Sequence, residues 1–351
     1  WNEAESAAEP LPVPDPAQGG SAEFDAAVQA LRSGEPAALL MNGVAVSQAG
    51  LELAGKIAVQ TGARLLGDTF ITRIARGAGR VDLERVPYFA EQAEQTLKGL
   101  KYLILVGTKA PVTFFAYPGQ NSHLTPEGCE AITLTTPEQD SMAALEALAE
   151  ALSANGARPI VGEYREVPLP TGDLNPASIA QTVAHFLPED SIIVNESATS
   201  GFAIPDLTAT SAPHDWLDLT GGAIGYGLPC ATGAAVACPQ RKVIALEADG
   251  SGMYTLQALW THAREKLDIT TVIFSNRKYA ILQVEFMRVG AHNPGPKAMS
   301  MLNLDNPDLN WVELARGLGV ASSRATTADE FNAQFEQAVN TTGPYLIEAV
   351  I

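Results

Sequence analysis

The sequence predicts an α/β fold made of two doubly wound domains, each built on a parallel β-sheet. Short, fully apolar segments recur along the chain, and stretches with helical periodicity separate them. The chain has 351 residues, which is enough for two domains that each bury a core of their own. Hydrophobic residues make up 46% of it and charged residues 18%, a composition typical of compact globular domains.

The first part of the chain is expected to be a linker followed by a middle α/β domain. Residues 1–20 carry alternating prolines, which favour extended structure, and the domain is predicted over 21–160. The helices predicted there are 24–32 and 49–61, and the strands are 37–41, 63–66, 102–107 and 131–134.

A second linker is predicted at 161–174, and a second α/β domain over 175–351. That domain begins with Asn175-Pro176, a helix cap followed by proline at the first helical position. Its last long helix should start at the capping box Thr327 to Glu330, before a final strand at 345–351.

The net charge bears on the partners of the protein, and the cysteine content bears on its location. Acidic residues outnumber basic ones by 40 to 22, which gives a formal net charge of −18. No basic cluster offsets this charge, so nucleic acid and anionic membrane surfaces are not expected as partners. Three cysteines without a CxxC pair indicate reduced thiols and hence a cytoplasmic location.

A polar residue follows each of two neighbouring apolar strands in the second domain. Asp249 follows the segment 243–246, and Asn276 follows 271–274, one strand–helix–strand unit further on. In a doubly wound sheet, ligands collect at these strand ends, where helix N-termini present free N–H groups to anions. A carboxylate, an amide oxygen and a loop carbonyl suit a hard cation such as Mg²⁺. The pair therefore predicts a metal-bridged diphosphate site, with an ordinary Asp-Gly turn and an asparagine helix cap as the alternative.

Two further segments precede this pair. Residues 194–199 follow an apolar strand and offer short polar side chains and N–H groups. Residues 220–229 form a glycine-rich turn that enters an alanine-rich helix. The glycine turn alone is a weak signal, because such turns are common, but here the three features occur together.

In this order and spacing, the segments resemble the diphosphate-binding domain of thiamine-diphosphate enzymes, in the acetolactate synthase and benzoylformate decarboxylase family. The family fingerprint is Gly-Asp-Gly followed, one strand–helix–strand unit later, by Asn or Asn-Asn. Here Ala248 replaces the first glycine and Ser275 the first asparagine, and neither change removes a metal ligand. The resemblance covers about residues 170–351, and a weaker likeness to the family's middle domain covers about 20–160.

The resemblance implies two cofactors, thiamine diphosphate and Mg²⁺. It assigns three metal ligands, which are the side chains of Asp249 and Asn276 and the main-chain carbonyl of Lys278. The residues that it places against the cofactor are Asn195, Ala198, Thr199, Gly222, Ile224, Gly250, Ser251, Tyr279, Ala280 and Ile281. Ile224 would support the bent cofactor, with plain core packing as its alternative role, and the Gly222 carbonyl would accept the aminopyrimidine N–H.

The resemblance also implies that this chain is incomplete. In the family, a glutamate of an N-terminal pyrimidine-binding domain activates the cofactor, and no such domain is recognisable here. Glu196 lies in the diphosphate motif, which is the wrong place to substitute for it. The catalytic glutamate is therefore expected outside this chain, in a longer polypeptide or in a partner chain. Because family sites lie between two chains, a homodimer or homotetramer is implied.

The implied function is decarboxylation of a small 2-keto acid, or carboligation, by an acetolactate-synthase-like enzyme. The flavin motif of acetolactate synthases is absent from the middle domain, which we expect to hold no cofactor. Glu285, Phe286 and Arg288 are open between a pocket role and packing, and His123 is a weaker candidate. Two alternatives remain, a non-catalytic or regulatory thiamine-diphosphate-binding half and a nucleotide-binding α/β protein without thiamine chemistry.

Overall fold

A computed structural model describes residues 6–351 and confirms the predicted α/β class; the first five residues of the predicted linker lie outside this range. The strands are β1 (Ala37–Met41), β2 (Arg64–Gly67), β3 (Ile74–Arg76), β4 (Glu84–Arg85), β5 (Tyr102–Val106), β6 (Glu130–Thr135), β7 (Ser191–Glu196), β8 (His214–Asp218), β9 (Val243–Ala248), β10 (Ile269–Ser275), β11 (Ala321–Ala325) and β12 (Tyr345–Val350). The helices are α1 (Ser21–Arg32), α2 (Gln48–Thr61), α3 (Ala90–Leu97), α4 (Ser141–Ala151), α5 (Pro176–Phe186), α6 (Ile204–Thr208), α7 (Gly227–Ala237), α8 (Asp249–Gly252), α9 (Ala258–Glu265), α10 (Ala280–Arg288), α11 (Pro296–Ser300), α12 (Trp311–Gly317) and α13 (Ala328–Val339). None of the helices in this range is both long and apolar enough to cross a membrane.

The first sheet holds five parallel strands in the order β4-β2-β1-β5-β6. Its central strand β1 is buried along its whole length, because alternate side chains face opposite sides of a strand and both sides are covered. Leu39 packs among residues of α1, α2 and α4. Leu40 packs on the other face among residues of α3. The sheet is therefore doubly wound, as predicted.

The second sheet holds seven strands in the order β11-β12-β10-β9-β7-β8-β3. Six of them are parallel, and the edge strand β3 runs antiparallel to β8. Ile193 and Ile244 face α5 and α13. Val194 and Ala245 face α7, α9 and α12 on the other side. Both faces of this sheet are thus covered as well.

Strand β3 belongs by sequence to the predicted middle domain and by hydrogen bonding to the second sheet. Ile74 pairs with Trp216, and Arg76 pairs with His214. The Arg76 guanidinium also lies over the Trp216 ring, 5.9 Å from its centre. A three-residue strand has too few positions to show a period, so the sequence did not predict it. The predicted division at 160 and 175 stays a prediction, with this strand as a link across it.

Two predicted helix starts can be compared with the structure. Asn175 caps α5 and accepts the N–H groups of Ala177 and Ser178, each at 3.0 Å. Thr327 caps α13 and accepts the Glu330 N–H at 3.2 Å. The Glu330 carboxylate, however, accepts from the N–H and hydroxyl of Thr326 and not from the Thr327 N–H. The predicted capping box is therefore formed on one side only.

The two linker segments follow the surface of the domains that they join. In the first, the Ala17 N–H donates to the Glu138 carbonyl at 3.3 Å. In the second, the Gly162 N–H donates to the Arg80 carbonyl at 2.9 Å, and the Arg165 N–H donates to Thr210 at 3.0 Å. These bonds attach the first linker to the middle domain and the second linker to both domains.

Candidate functional site

The carboxyl ends of both sheets border one cavity of 1430 Å³. The second sheet contributes the loops that follow β7, β8, β9 and β10, and the first sheet contributes the loops that follow β2, β4 and β5. Every residue predicted to contact the cofactor lines this cavity. Of the predicted metal ligands, Asn276 and Lys278 line it, and Asp249 lies buried beside Gly250. Residues far apart in the sequence are therefore brought together, while their individual roles stay predictions.

Asp249 occupies the start of α8, directly after β9. Its side chain is buried, and its carboxylate accepts the N–H groups of Gly250 at 2.8 Å and Arg277 at 2.6 Å. Burial raises the pKa of the Asp249 carboxyl to about 6, although these two N–H groups act in the opposite direction. A cation beside the carboxylate would offset the cost of burying its charge.

The loop after β10 places Asn276 and Lys278. Arg277 adopts a left-handed conformation with φ of 57°, which turns the chain sharply between them. The Asn276 side-chain oxygen accepts the Lys278 N–H at 3.1 Å. The Arg277 carbonyl and the Tyr279 N–H pair with the segment 302–304, and the Lys278 carbonyl takes no part in those bonds. The loop thus holds Lys278 in place without using the Lys278 carbonyl oxygen, although it does use the Asn276 side-chain oxygen.

The loop after β7 forms a 3-10 helix, Ala198–Gly201, which begins with Ala198 at a positive φ of 49°. The Asn195 side chain precedes it and is engaged on both sides. Its oxygen accepts from the Ser197 hydroxyl at 2.5 Å, and its nitrogen donates to Asp218 at 2.9 Å. Asn195 therefore braces this loop, in which Ala198 and Thr199 line the cavity.

The glycine-rich turn is held by side chains beneath it. Gly221, Gly222 and Gly225 have φ values of 63°, 67° and 91°, which favour glycine. The buried Glu196 carboxylate accepts the Gly225 N–H at 2.6 Å and the Gly227 N–H at 2.5 Å. Burial raises the pKa of Glu196, and these two N–H groups oppose the shift.

A second buried acid, Glu247, lies beside Glu196. The two residues are partners in register on the neighbouring strands β7 and β9. Neither carboxyl oxygen of Glu247 has a hydrogen-bond partner among the described residues. Burial, together with the neighbouring Glu196, raises the pKa of Glu247 well above its usual range. This shift favours the protonated form of Glu247, whose O–H could donate a hydrogen bond to Glu196.

The donor set fits a hard cation and a diphosphate. The predicted ligands offer only oxygen atoms, which Mg²⁺ prefers: the side chains of Asp249 and Asn276 and the carbonyl of Lys278. Separately, residues 6–351 contain no cluster of three or more His, Cys, Asp or Glu suited to a metal. A side chain at Gly250 would meet the Tyr279 ring at 2.5 Å, so glycine is needed where α8 approaches Tyr279 and the cavity. These residues would hold Mg²⁺ and the diphosphate of thiamine diphosphate.

The middle domain contributes a wall of aromatic rings that the sequence analysis missed. The Phe114 ring lies 5.3 Å from that of Phe70, 5.5 Å from that of Tyr88 and 4.8 Å from that of Phe115. Phe114 also presses on the glycine turn, since a side chain at Gly222 would meet its ring at 2.4 Å. The adjacent pair Phe114-Phe115, in a loop just after β5, was the available signal.

A carboxylate lies at the edge of this aromatic wall. Glu285, on α10, lines the cavity and accepts from the hydroxyls of Tyr88 at 3.2 Å and Tyr117 at 2.5 Å. Arg288 instead forms an ion pair with Glu91 at 2.8 Å and lies outside the cavity lining. Of the three open candidates, the structure therefore brings Glu285 to the cavity, leaves Phe286 outside its lining and uses Arg288 between the domains.

The middle domain also supports the loop after β7, called the diphosphate loop after its predicted ligand, through an ion pair. Arg85, at the end of β4, bonds to the buried Asp218 at the end of β8. Asp218 in turn accepts from the Asn195 side chain. Burial raises the pKa of Asp218, and Arg85 opposes the shift. One residue of the first sheet thus helps to position a loop of the second.

The histidines serve structural roles or lie away from the cavity. His262 is buried and bonds to the Thr232 hydroxyl at 2.9 Å, and burial lowers its pKa to about 4. Burial likewise lowers the pKa of His214 to about 4. His123 is exposed and does not line the cavity.

Comparison with known sequences identifies the second domain. Residues 199–349 match the family described as thiamine pyrophosphate enzyme, C-terminal TPP binding domain. Fold, site and this match define the class: an α/β protein with a thiamine-diphosphate-binding domain. Residues 199–349 therefore belong to the thiamine-diphosphate enzyme family, and the proteins similar to this chain include acetolactate synthases and benzoylformate decarboxylases.

Similar proteins extend the likeness to the middle domain. A Mycobacterium tuberculosis protein, whose name places it among acetolactate synthase large subunits (IlvX), is 48% identical over 96% of this chain and 65% of its own length. Benzoylformate decarboxylase of Pseudomonas aeruginosa is 30% identical over 72% of this chain and 49% of its own. A thiamine diphosphate-dependent 4-hydroxybenzoylformate decarboxylase of Rhodococcus jostii RHA1 shares the fold, with a TM-score of 0.77 at 24% identity, covering 96% of this chain and 65% of that one. The chain thus spans between half and about two thirds of these relatives.

Proposed function

We propose that this chain is the cofactor-binding part of a thiamine-diphosphate-dependent 2-keto acid decarboxylase or carboligase. One observation carries the proposal. The oxygen donors of Asp249 and Asn276 lie at the ends of neighbouring strands, beside the cavity that the diphosphate loop and the glycine turn also border. The names of the similar proteins support the same class of reaction.

In this proposal, the chain binds and orients the cofactor. Asp249, Asn276 and the Lys278 carbonyl hold Mg²⁺, and the N–H groups of Ala198, Thr199 and the start of α8 face the diphosphate. When bound, thiamine diphosphate supplies a nucleophilic carbon and holds the electron pair that remains when carbon dioxide leaves a 2-keto acid. The turn that carries Gly222 and Ile224 supports the rings, and the aromatic wall excludes water from one side.

The activating glutamate is proposed to come from an N-terminal domain or a partner chain. The glutamates that line the cavity in its second-sheet half are already engaged: Glu196 accepts from the glycine turn, and Glu285 accepts from two tyrosines. A site completed by another chain also favours a homodimer or homotetramer, and we propose a cytoplasmic location from the three unpaired cysteines.

Calorimetric titration of the chain with thiamine diphosphate, with Mg²⁺ and then with a chelator, tests the binding part. We expect binding that requires the metal, and a chain that binds no thiamine diphosphate in Mg²⁺ would contradict the proposal. Carbon dioxide release from 2-keto acids, with and without a candidate N-terminal domain, tests the catalytic part. A reconstituted pair that binds the cofactor but stays inactive would favour the alternative, a non-catalytic binding half.

For the substrate, we propose a 2-keto acid with a bulky apolar side chain. Phe70, Tyr88 and Phe114 form a wall beside the glycine turn, and a flat apolar group can pack against rings arranged edge to face. The Glu285 carboxylate at the wall's edge repels the acid group of the substrate, which would turn the side chain towards the rings.

Competition between phenylglyoxylate and pyruvate in the reconstituted enzyme tests this choice. Phe115→Ala should lower kcat/KM for phenylglyoxylate by about tenfold and change that for pyruvate little. Val112→Ala, in the same loop but outside the cavity lining, is the control. An enzyme that prefers pyruvate would contradict the proposed substrate class and leave the cofactor assignment intact.

A further inference from the structure

The glycine turn between β8 and α7 is fixed from several sides. Besides the two N–H groups that Glu196 accepts, the Gly225 carbonyl accepts from the Thr255 hydroxyl at 3.0 Å. Backbone packing leaves it little space, since a side chain at Gly225 would meet the Tyr254 Cβ at 2.8 Å. A turn with three residues at positive φ needs such external bonds, because it makes few of its own.

Both carboxylate oxygens of Glu196 are bonded to this turn. Its side chain is buried, and the carboxylate accepts from Gly225 and Gly227. Beneath it, a Cβ added at Gly227 would lie 2.1 Å from a Glu247 oxygen and 3.0 Å from a Glu196 oxygen. The two acids therefore fill the floor under the start of α7, and Glu196 cannot turn away from the N–H groups.

We infer that Glu196 is a positioning residue for the ring end of the cofactor, an inference that rests on the proposed function. The turn carries Ile224, whose side chain faces the cavity, and Gly222, which is predicted to contact the aminopyrimidine. The diphosphate end is held by other elements, the loop after β7 and helix α8. Loss of the Glu196 bonds should therefore weaken binding of the rings and leave binding of the diphosphate nearly unchanged.

The chain offers a matched control on the same face of the same sheet. Glu348, on β12, is also buried, and it accepts from Arg324 at 2.9 Å and Ser275 at 3.3 Å. It does not line the cavity and makes no hydrogen bond to the turn. A change at Glu348 removes a buried carboxylate of the same kind without touching the glycine turn.

The test compares the affinities of one chain for two ligands, thiamine diphosphate and inorganic diphosphate, both measured by calorimetry in Mg²⁺. In Glu196→Gln, we expect the dissociation constant for thiamine diphosphate to rise by about tenfold, because the amide can accept from only one of the two N–H donors and turns its own N–H groups towards the other. The constant for inorganic diphosphate should change by less than about twofold. Glu348→Gln should keep the ratio of the two constants at the wild-type value, whatever it does to thermal stability.

If Glu196→Gln does not fold, Thr255→Val replaces it, because it removes the bond to Gly225 from the other side with little change of shape. A threefold change of the same ratio is then expected. The inference is overturned if the folded variant binds both ligands more weakly by the same factor, or if it leaves the ratio of the two dissociation constants unchanged. It is also overturned if the wild-type chain binds both ligands equally well. A wild-type chain that binds neither ligand contradicts the proposed function instead.

Discussion

The two sheets end at the same cavity, but the polar side chains at their strand ends differ in their hydrogen-bond partners. At the ends of the first sheet, the polar side chains satisfy one another: Asn42 donates to Asp68 at 2.9 Å, and Thr108 bonds to the same carboxylate. At the ends of the second sheet, Asn195 likewise donates to Asp218, but the buried Asp249 accepts only backbone N–H groups. A buried polar group without a side-chain partner is costly, so its retention points to a ligand or to a bond that the site requires.

What the first sheet offers to the cavity is mainly apolar surface. Phe70, Tyr88, Phe114 and Phe115 follow its strands, while the second sheet supplies oxygen donors and backbone N–H groups. The second-sheet half of the cavity is thus suited to bind charged groups. The first-sheet half is suited to contact apolar groups and to exclude water. The following changes break or sharpen this contrast.

The largest effect is expected from Asp249→Ala, which removes the only predicted carboxylate ligand. Affinity for thiamine diphosphate in Mg²⁺ should fall by at least about 100-fold, since even outer partners of a metal site cost 10–100-fold. Calorimetric titration measures the change. Asp25→Ala, an exposed change on α1, should bind as the wild type does. Equal affinity in the two variants would mean that Asp249 does not bind the metal. It would favour a protein without thiamine chemistry.

Gly227→Ala should destabilise the second domain by about 2 kcal/mol, as overpacking of a buried site does. The new Cβ would lie 2.1 Å from a carboxyl oxygen of the fully buried Glu247. Gly233→Ala, on the same helix, meets nothing within 4 Å and should be neutral or more stable by about 0.5 kcal/mol. Urea unfolding of the two variants gives the difference in unfolding free energy. Equal stabilities would mean that Glu196 and Glu247 can shift to make room for the new methyl group.

Acid sensitivity should arise in the second domain. The folded pKa of His262 is about 4, below the unfolded value of 6.5, so its stabilising effect is present above pH 6.5 and is lost as the pH falls towards 4. By pH 5.5, this residue should cost about 1.4 kcal/mol of unfolding free energy, and His214 should add a similar loss.

His262→Gln should remove its share of that slope, measured as urea unfolding at pH 7.5 and pH 5.5. His123→Gln, an exposed change in the middle domain, should leave the slope as it is. If both variants retain the wild-type slope, burial of His262 is not what makes the protein acid-sensitive.

The smallest effect probes the contact between the two halves of the cavity. Gly221→Ala and Gly222→Ala both place alanine at a positive φ, but only the second also meets Phe114. Gly222→Ala should therefore cost about 1 kcal/mol more in unfolding free energy. Phe114→Ala in the Gly222→Ala background should recover that excess, and additive effects would show that the two sheets do not touch here.

Much of the fold and of the second half of the cavity could be predicted from the sequence. The strands are short apolar runs, and the polar residues that follow them, such as Asp249 and Asn276, mark strand ends that a parallel sheet brings together. A resemblance in motif order then supplied the ligand. These features are local or follow from topology alone.

The features that escaped prediction depend on contacts between distant segments. The aromatic wall forms only because loops after three different strands converge, and a phenylalanine in a loop shows no period. Glu247 is one charged residue within an apolar strand, and its pairing with Glu196 follows from the register of β7 and β9. Periodicity carries no information on register between strands that are far apart in sequence.

Strand β3 joins the two predicted domains into one unit for recombination. It covers the backbone of β8, which would otherwise be the open edge of the seven-stranded sheet. A chain cut at the predicted boundary would therefore expose the N–H and C=O groups of residues 214–218 to pairing with other molecules. Recombination between relatives that joined the second domain to a foreign middle domain would have to bring a matching edge strand with it. The two domains are consequently expected to be inherited, exchanged and engineered together.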